Sequence, residues 1–395
     1  MNGLDGNFNS IPVDHSEIPQ GKLNIDNKIR SNLFNWNGQF SPQFIEALLE
    51  KYADKDYVVI DPFLGSGTTL GECARQGIEA YGTELNASAF FMAKTYECSN
   101  ISIDDREILI NKVDKIISSI DNDERILDSI LYNINNNENA TGVNLLSTLV
   151  IVLDVYNNAV TMELLNIKWE WLKKLVLSLP YSESIISVSR GDSRKMMLDD
   201  SSADMLITSP PYINVLNYHQ KYRRSVEALG YDVLRIARSE FGSNRKNRGN
   251  RFLTVIQYCM DMALSINEAI RVCKADARMI YVVGRESTVL GYSFCNSELI
   301  YDIGTKIFGL ELILRQERVF KNRYGQMIYE DIIHFSNKKD YGDLSEQEIV
   351  NKAREIAVGM LKDKLNTVPV TKNTIFLKEA IANSMKVRKS EVTYG

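Results

Sequence analysis

The chain has 395 residues, 44% hydrophobic, 25% charged and 9% aromatic, which is the composition of a globular protein of about two domains. Lys and Arg number 46 against 51 Asp and Glu, a net charge of −5, so overall charge cannot hold nucleic acid and such binding needs a local basic patch. Five cysteines without a CxxC pair and three scattered histidines argue against a disulfide framework and against a metal site. A polar start from Met1 to Gln20, and no apolar run of about 18–20 residues, predict a cytoplasmic protein with no membrane partner.

Residues 1–30 are rich in Asn, Asp and Gly and predict a flexible arm. Ser41-Pro42 reads as a helix start, a cap followed by proline at the first helical position, with Phe44, Ile45, Leu48 and Leu49 as the apolar face. Tyr57 to Ile60 reads as a strand ending at Asp61; a glycine loop and a helix follow, and Glu79 to Glu84 is the next strand. That βαβ order predicts a parallel sheet. Helical spacing of apolar residues over 99–184 predicts an insertion of about four helices, with 145–155 in its core and Trp169 and Trp171 as packing residues. The strand rhythm resumes at 185–188, leading to Asp192, and at 203–207, leading to Thr208-Ser209-Pro210-Pro211-Tyr212. A helix over 254–273, strands at 278–283, 310–314 and 328–335, and terminal helices over 345–364 and 373–386 complete the pattern. The expected division is an arm (1–30), an α/β body (31–98 and 185–338), a helical insertion (99–184) and a C-terminal helical extension (339–395).

Ligands of an open parallel sheet bind outside the carboxyl ends of its strands, so Asp61, Glu84, Asp192 and Ser209 to Tyr212 should converge on one crevice. The glycine loop lacks the lysine of a phosphate-binding NTPase loop, and Leu70 stands where a dinucleotide loop has its third glycine. A nucleoside cofactor without a pyrophosphate remains, beside a plain structural turn. Glu84 lies 23 residues after Asp61, suited to ribose hydroxyls, so S-adenosylmethionine fits. In the second loop the Ser209 hydroxyl and the Pro210 carbonyl can accept hydrogen bonds from an exocyclic amine, and Tyr212 offers a flat face to a flipped base. The alternative is a Pro-Pro turn that closes a strand.

Asp61-Pro62-Phe63-Leu64-Gly65-Ser66-Gly67-Thr68-Thr69 and Thr208 to Tyr212 resemble motifs I and IV of the exocyclic-amino DNA methyltransferases, over about 30–98 and 185–338. The resemblance implies a Rossmann-like methyltransferase fold with a mostly parallel sheet, and S-adenosylmethionine as cofactor. It implies cofactor-binding roles for Phe40 in the motif X segment Asn37-Gly38-Gln39-Phe40, for Asp61, Pro62, Phe63, Gly65, Gly67 and Thr68 of motif I, for Glu84 on the ribose and for Asp192 on the adenine. Ser209, Pro210, Pro211 and Tyr212 are the implied catalytic residues. The SPPY variant resembles the cytosine-N4 branch; an adenine-N6 enzyme, an RNA guanine-N2 enzyme and a non-catalytic nucleic-acid-binding relative are the alternatives. The motif order X, I, II, III, IV is unpermuted, and no proline precedes a cysteine, which argues against cytosine-C5 chemistry. Double-stranded DNA as partner, base flipping, and a restriction–modification setting with a cognate endonuclease are what the resemblance implies.

Residues 219–251 hold nine basic and three acidic side chains, a local charge of +6 that begins just after Tyr212. Lys221, Arg223, Arg224, Arg245, Lys246, Arg248 and Arg251 are the expected DNA-phosphate contacts, with a solvated charged face as the alternative. Tyr218 and Tyr222 would stack on bases or join the core.

Overall fold

The computed structural model describes residues 8–120, 125–213, 218–241, 247, 249–322, 325–338, 342, 344–367 and 369–392. In chain order the elements are α1 (Gln20–Asn24), α2 (Pro42–Tyr52), β1 (Val58–Asp61), α3 (Thr68–Gln76), β2 (Glu79–Glu84) and α4 (Ala87–Lys94). Four helices follow: α5 (Ile103–Ser118), α6 (Ile126–Asn136), α7 (Ala140–Leu153) and α8 (Met162–Ser178). Then come β3 (Ile186–Arg190), β4 (Ala203–Thr208), α9 (Arg223–Ala228), α10 (Val233–Ser239), α11 (Phe252–Val272) and β5 (Cys273–Gly284). The chain continues through β6 (Glu286–Val289), β7 (Tyr292–Cys295), α12 (Asn296–Asp302), β8 (Glu311–Lys321), β9 (Met327–Ser336), α13 (Glu346–Thr367) and α14 (Thr374–Ala382).

Seven strands form one sheet in the order β3-β2-β1-β4-β5-β9-β8. The first five run parallel, and β9 and β8 close the sheet antiparallel. This is the expected Rossmann-like α/β fold with a mostly parallel sheet. The order reverses between β1 and β4, and such a switch point opens a crevice at the strand ends. Asp61 and Ser209 lie at those ends. Among the described residues no helix is long and apolar enough to cross a membrane.

The four-helix insertion is present, and its starts are local. Ser102, Asn139 and Thr161 each accept a bond from a backbone N–H of the first turn of α5, α7 and α8. Its helices share one apolar core with α2, α3 and α4. The 145–155 run is core as expected, although α7 stops at Leu153 because Asp154 turns left-handed (φ 50°). Trp169 is buried and donates to Asp114 Oδ1 at 2.6 Å, whereas Trp171 is partly exposed, edge-on to Phe34 at 5.7 Å. Ser41 precedes α2 as expected, but its side chain makes no cap bond; Pro42 carries the start alone.

The flexible arm expected over 1–30 is not what residues 8–30 form. Phe8, Ile18 and Leu23 are buried. Arg315 lies 4.2 Å over the Phe8 ring and donates to the Phe8 and Ile11 carbonyls, and the Asp14 amide donates to the Arg315 carbonyl at 2.7 Å. The Gln20 and Asn24 side chains bond the β8 backbone at Glu317 and Val319. The segment therefore covers β8, an edge strand whose open backbone groups need partners. Residues 1–7 lie outside the described residues.

Candidate active site

The βα turn after β1 sets the site. Asp61 ends the strand almost fully buried, and accepts from Thr69 Oγ1 at 2.7 Å, Thr208 Oγ1 at 2.6 Å and the Phe63 amide at 3.1 Å. It thereby ties the glycine loop, the start of α3 and the end of β4 together. Burial pushes its carboxyl up to about 6, against the three hydrogen bonds. Gly67 caps α3 at φ 95°, and a Cβ there would stand 3.0 Å from the Ala93 Cα and 2.8 Å from the Tyr96 ring. Only glycine fits both restrictions.

The loop opens on a cavity of about 880 Å³, including its mouth. Phe40, Pro62, Phe63, Gly65, Thr68, Glu84, Asp192, Ser209 and Pro211 line it, as the sequence suggested. Glu84 Oε2 accepts the Gly65 amide and Oε1 the Asn86 amide, each at 2.7 Å. These bonds aim the carboxylate and leave each oxygen a second lone pair for a hydroxyl. Burial, aided by the charges of Asp61 and Glu240, pushes the Glu84 carboxyl up to about 7.

Four expected site residues do not line this cavity, although Pro210 and Tyr212 flank lining residues. Asp61 and Gly67 lie behind the cavity wall, for the reasons above. Pro210 is buried, and the Tyr212 ring packs on Gly284, where a Cβ would stand 2.8 Å from its Cε2. The Tyr212 hydroxyl is 3.4 Å from Glu330 Oε1. Burial, with the charge of Glu330, raises the phenol. Asp192 does line the cavity, but its carboxylate is engaged: Arg194 Nε lies 2.8 Å from Oδ1 and Nη2 2.6 Å from Oδ2. That pairing fixes the carboxylate in the cavity wall.

The other walls were not anticipated. Trp36 comes from the segment before α2, Leu85 follows Glu84, and Tyr218, Ile236, Glu240 and Phe241 come from the basic segment. Tyr218 stacks on Trp36 at 6.0 Å between centroids, Phe63 meets Phe241 edge-on at 5.4 Å, and His219 Nδ1 pairs with Glu240 Oε2 at 2.6 Å. Trp36, Leu85 and Tyr218, within a few residues of the motifs, were the available signal; Ile236, Glu240 and Phe241 lie more than 20 residues beyond Tyr212. Only the fold closes 218–241 over the loop at 61–69.

The same closure changes the reading of the basic side chains. Lys221 sits 5.5 Å over Trp36 and donates to Asn35 Oδ1 and Asn37 Oδ1, so it lies half-buried against the cavity rim. The Tyr222 hydroxyl donates to the Asn35 carbonyl. Arg223 pairs with Glu227 at 2.8 Å, Arg224 lies 5.0 Å over the exposed ring of Tyr156 in the insertion, and Arg251 is half-buried before α11. Arg245, Lys246 and Arg248 lie outside the described residues. Among the described residues no group of three His, Cys, Asp or Glu side chains is placed to hold a metal.

Residues 15–95 match the family model described as DNA methylase. Over 51 residues the chain is 39% identical to the type II methyltransferase M.MjaII of Methanocaldococcus jannaschii, a stretch that is 13% of this chain and 10% of that protein. The chain thus spans about a tenth of that relative's length. Among solved structures, a SAM-dependent methyltransferase from Methanosarcina mazei aligns with a TM-score of 0.36 at 12% identity, over 73% of this chain and 96% of that one. TrmN from Thermus thermophilus aligns with a TM-score of 0.32 at 13% identity, over 76% and 50% of the two chains. The matched residues 15–95 hold the glycine loop and Glu84.

Proposed function

We propose that this protein is an S-adenosylmethionine-dependent DNA methyltransferase whose acceptor is the exocyclic N4 amine of a cytosine flipped out of the duplex. The observation that carries the reading is that Ser209 and Pro211 share one cavity with Gly65 and Glu84. The bound cofactor supplies an electrophilic methyl group on a sulfonium. Glu84 accepts the ribose hydroxyls with the lone pairs its two amide partners leave open. Phe63, Ile236 and Phe241 offer a flat, apolar slot for a purine. This donor and acceptor set fits a nucleoside cofactor that carries no pyrophosphate.

Ser209 and the Pro210 carbonyl accept the hydrogens of the target amine. That draws its lone pair out of conjugation with the ring and points it at the methyl group, an orientation effect. The same acceptors face the positive charge that develops on nitrogen. The new N–C bond forms as the C–S bond breaks, and the surplus amine proton passes to solvent. Tyr212, held on Gly284, is the platform for the flipped base. Basic side chains of 219–251 hold the phosphates. The setting is a cytoplasmic restriction–modification pair, with a cognate endonuclease that cuts what this protein leaves unmarked.

The test is transfer of a radiolabelled methyl group from S-adenosylmethionine to unmethylated genomic DNA, with total RNA in parallel. Label enters DNA, and Ser209→Ala loses most of it. Label in RNA alone, or in neither, would overturn the reading.

A further inference from the structure

We infer that Arg194 is a positioning residue for the cofactor cavity and that the segment 387–391 clamps it there, so that docking of this segment and binding of the cofactor are coupled. The inference rests on the proposed cofactor site. The Arg194 side chain is 1% exposed, between two buried carboxylates: Asp192 Oδ2 at 2.6 Å from Nη2 and Asp261 Oδ1 at 2.8 Å from Nη1. A guanidinium has five N–H donors, and a buried one is costly unless all are met. The C-terminal segment supplies what the carboxylates do not. Nη1 donates to the Ser390 carbonyl at 3.1 Å and Nη2 to the Glu391 carbonyl at 2.7 Å. The Ser390 amide closes the circuit on Asp261 Oδ1 at 2.9 Å. The segment reaches this point as a plug, with Val387 buried and the Arg388 carbonyl held by Gln257 at 3.0 Å.

From its other side Arg194 holds three pieces of cavity wall. Its guanidinium lies 4.9 Å over the ring of Phe241, its pairing fixes Asp192, and Nη2 approaches the carbonyl of Ser239, which ends the helix that carries Ile236, at 3.5 Å. Phe241, Asp192 and Ile236 all line the cavity. Without the segment, Arg194 keeps its two carboxylates but has donors to re-satisfy. It does so by turning or by admitting water, and either loosens the wall against which the flat end of the cofactor rests. Coupling is reciprocal: whatever the segment adds to cofactor affinity, the cofactor adds to docking of the segment.

The chain ended after Arg388 keeps Val387 and the Gln257 bond and loses the clamp, together with the part-exposed ion pairs Lys389–Glu346 and Arg238–Glu391, which lie apart from the cavity lining. Calorimetry with S-adenosylhomocysteine should show affinity weaker by at least about fivefold, the low end of typical coupling. In methyl transfer, KM for S-adenosylmethionine should rise with kcat little changed, because Ser209 is untouched. Unchanged affinity in a folded truncated chain overturns the clamp while leaving the cofactor reading standing. A full chain that binds no S-adenosylhomocysteine overturns the cofactor reading and the clamp with it. Hydrogen exchange on the full chain decides the matter even if the shortened chain does not fold. The Ser390 amide should exchange several-fold more slowly with S-adenosylhomocysteine bound, and an unchanged rate contradicts the coupling.

Discussion

Glu84 is aimed by two backbone amides before any ligand arrives, and its protonation decides what it can accept. Its carboxyl is pushed up to about 7, chiefly by burial. The ionised form accepts two hydroxyls as well as two amides; the protonated form gives up part of that capacity. Cofactor affinity should therefore be full above about pH 7 and fall as pH drops through 7, and a flat calorimetric profile from about pH 5.5 to 8 would contradict this. Glu84→Gln sets an amide NH2 against the Gly65 or Asn86 amide. It should weaken cofactor binding by about 1.5–3 kcal/mol, roughly ten- to a hundredfold. Ser209→Ala should lower kcat by a similar factor and leave calorimetric cofactor affinity unchanged; equal turnover would remove Ser209 from the mechanism. The places of Glu84 and Ser209 on the cavity were legible because each stands at the carboxyl end of a parallel strand. The pairing of Asp192 was not, because Arg194, two residues on, is buried beside it only once the fold brings Asp261 and the carbonyls of Ser390 and Glu391 around it.

The elements were legible where periodicity was strong: the parallel strands, the insertion helices and the long α11 stand within a few residues of their expected places. Residues 8–30 were not, because their three apolar anchors are diluted by polar residues and follow no period, and they matter only against the edge of β8. Asp61 acts at this scale as a knot between elements. Its pKa is raised from 3.8 to about 6, so its contribution to stability is full below 3.8 and is lost as pH rises through 6. Thr69→Val removes the donor to Oδ2 and should destabilise by about 1.5–3 kcal/mol in urea melts near pH 8. The cost should be smaller near pH 5, where a protonated Asp61 needs fewer donors; an equal cost at both would contradict the assignment. Gly67→Ala adds a left-handed φ to a clash with the Ala93 backbone, and should cost roughly 2–4 kcal/mol by the same measurement.

At the scale of the molecule, a net charge of −5 and a +6 segment would make DNA binding a local matter, yet the structure gives part of that segment to the cavity. Composition could not separate the two uses, since Lys221 reads as a phosphate contact until Asn35, Trp36 and Asn37 are brought beneath it. Lys221→Ala should accordingly weaken cofactor binding while leaving the salt dependence of DNA affinity unchanged. Wild-type DNA affinity should fall steeply with salt, by roughly one power of the salt concentration per phosphate held; a flat response would discard the basic segment as an interface. The central claim is the acceptor atom. Mass spectrometry of nucleosides from DNA treated with the protein and S-adenosylmethionine tests it most directly. The account predicts N4-methylcytosine; N6-methyladenine, or no methylated nucleoside, would contradict it.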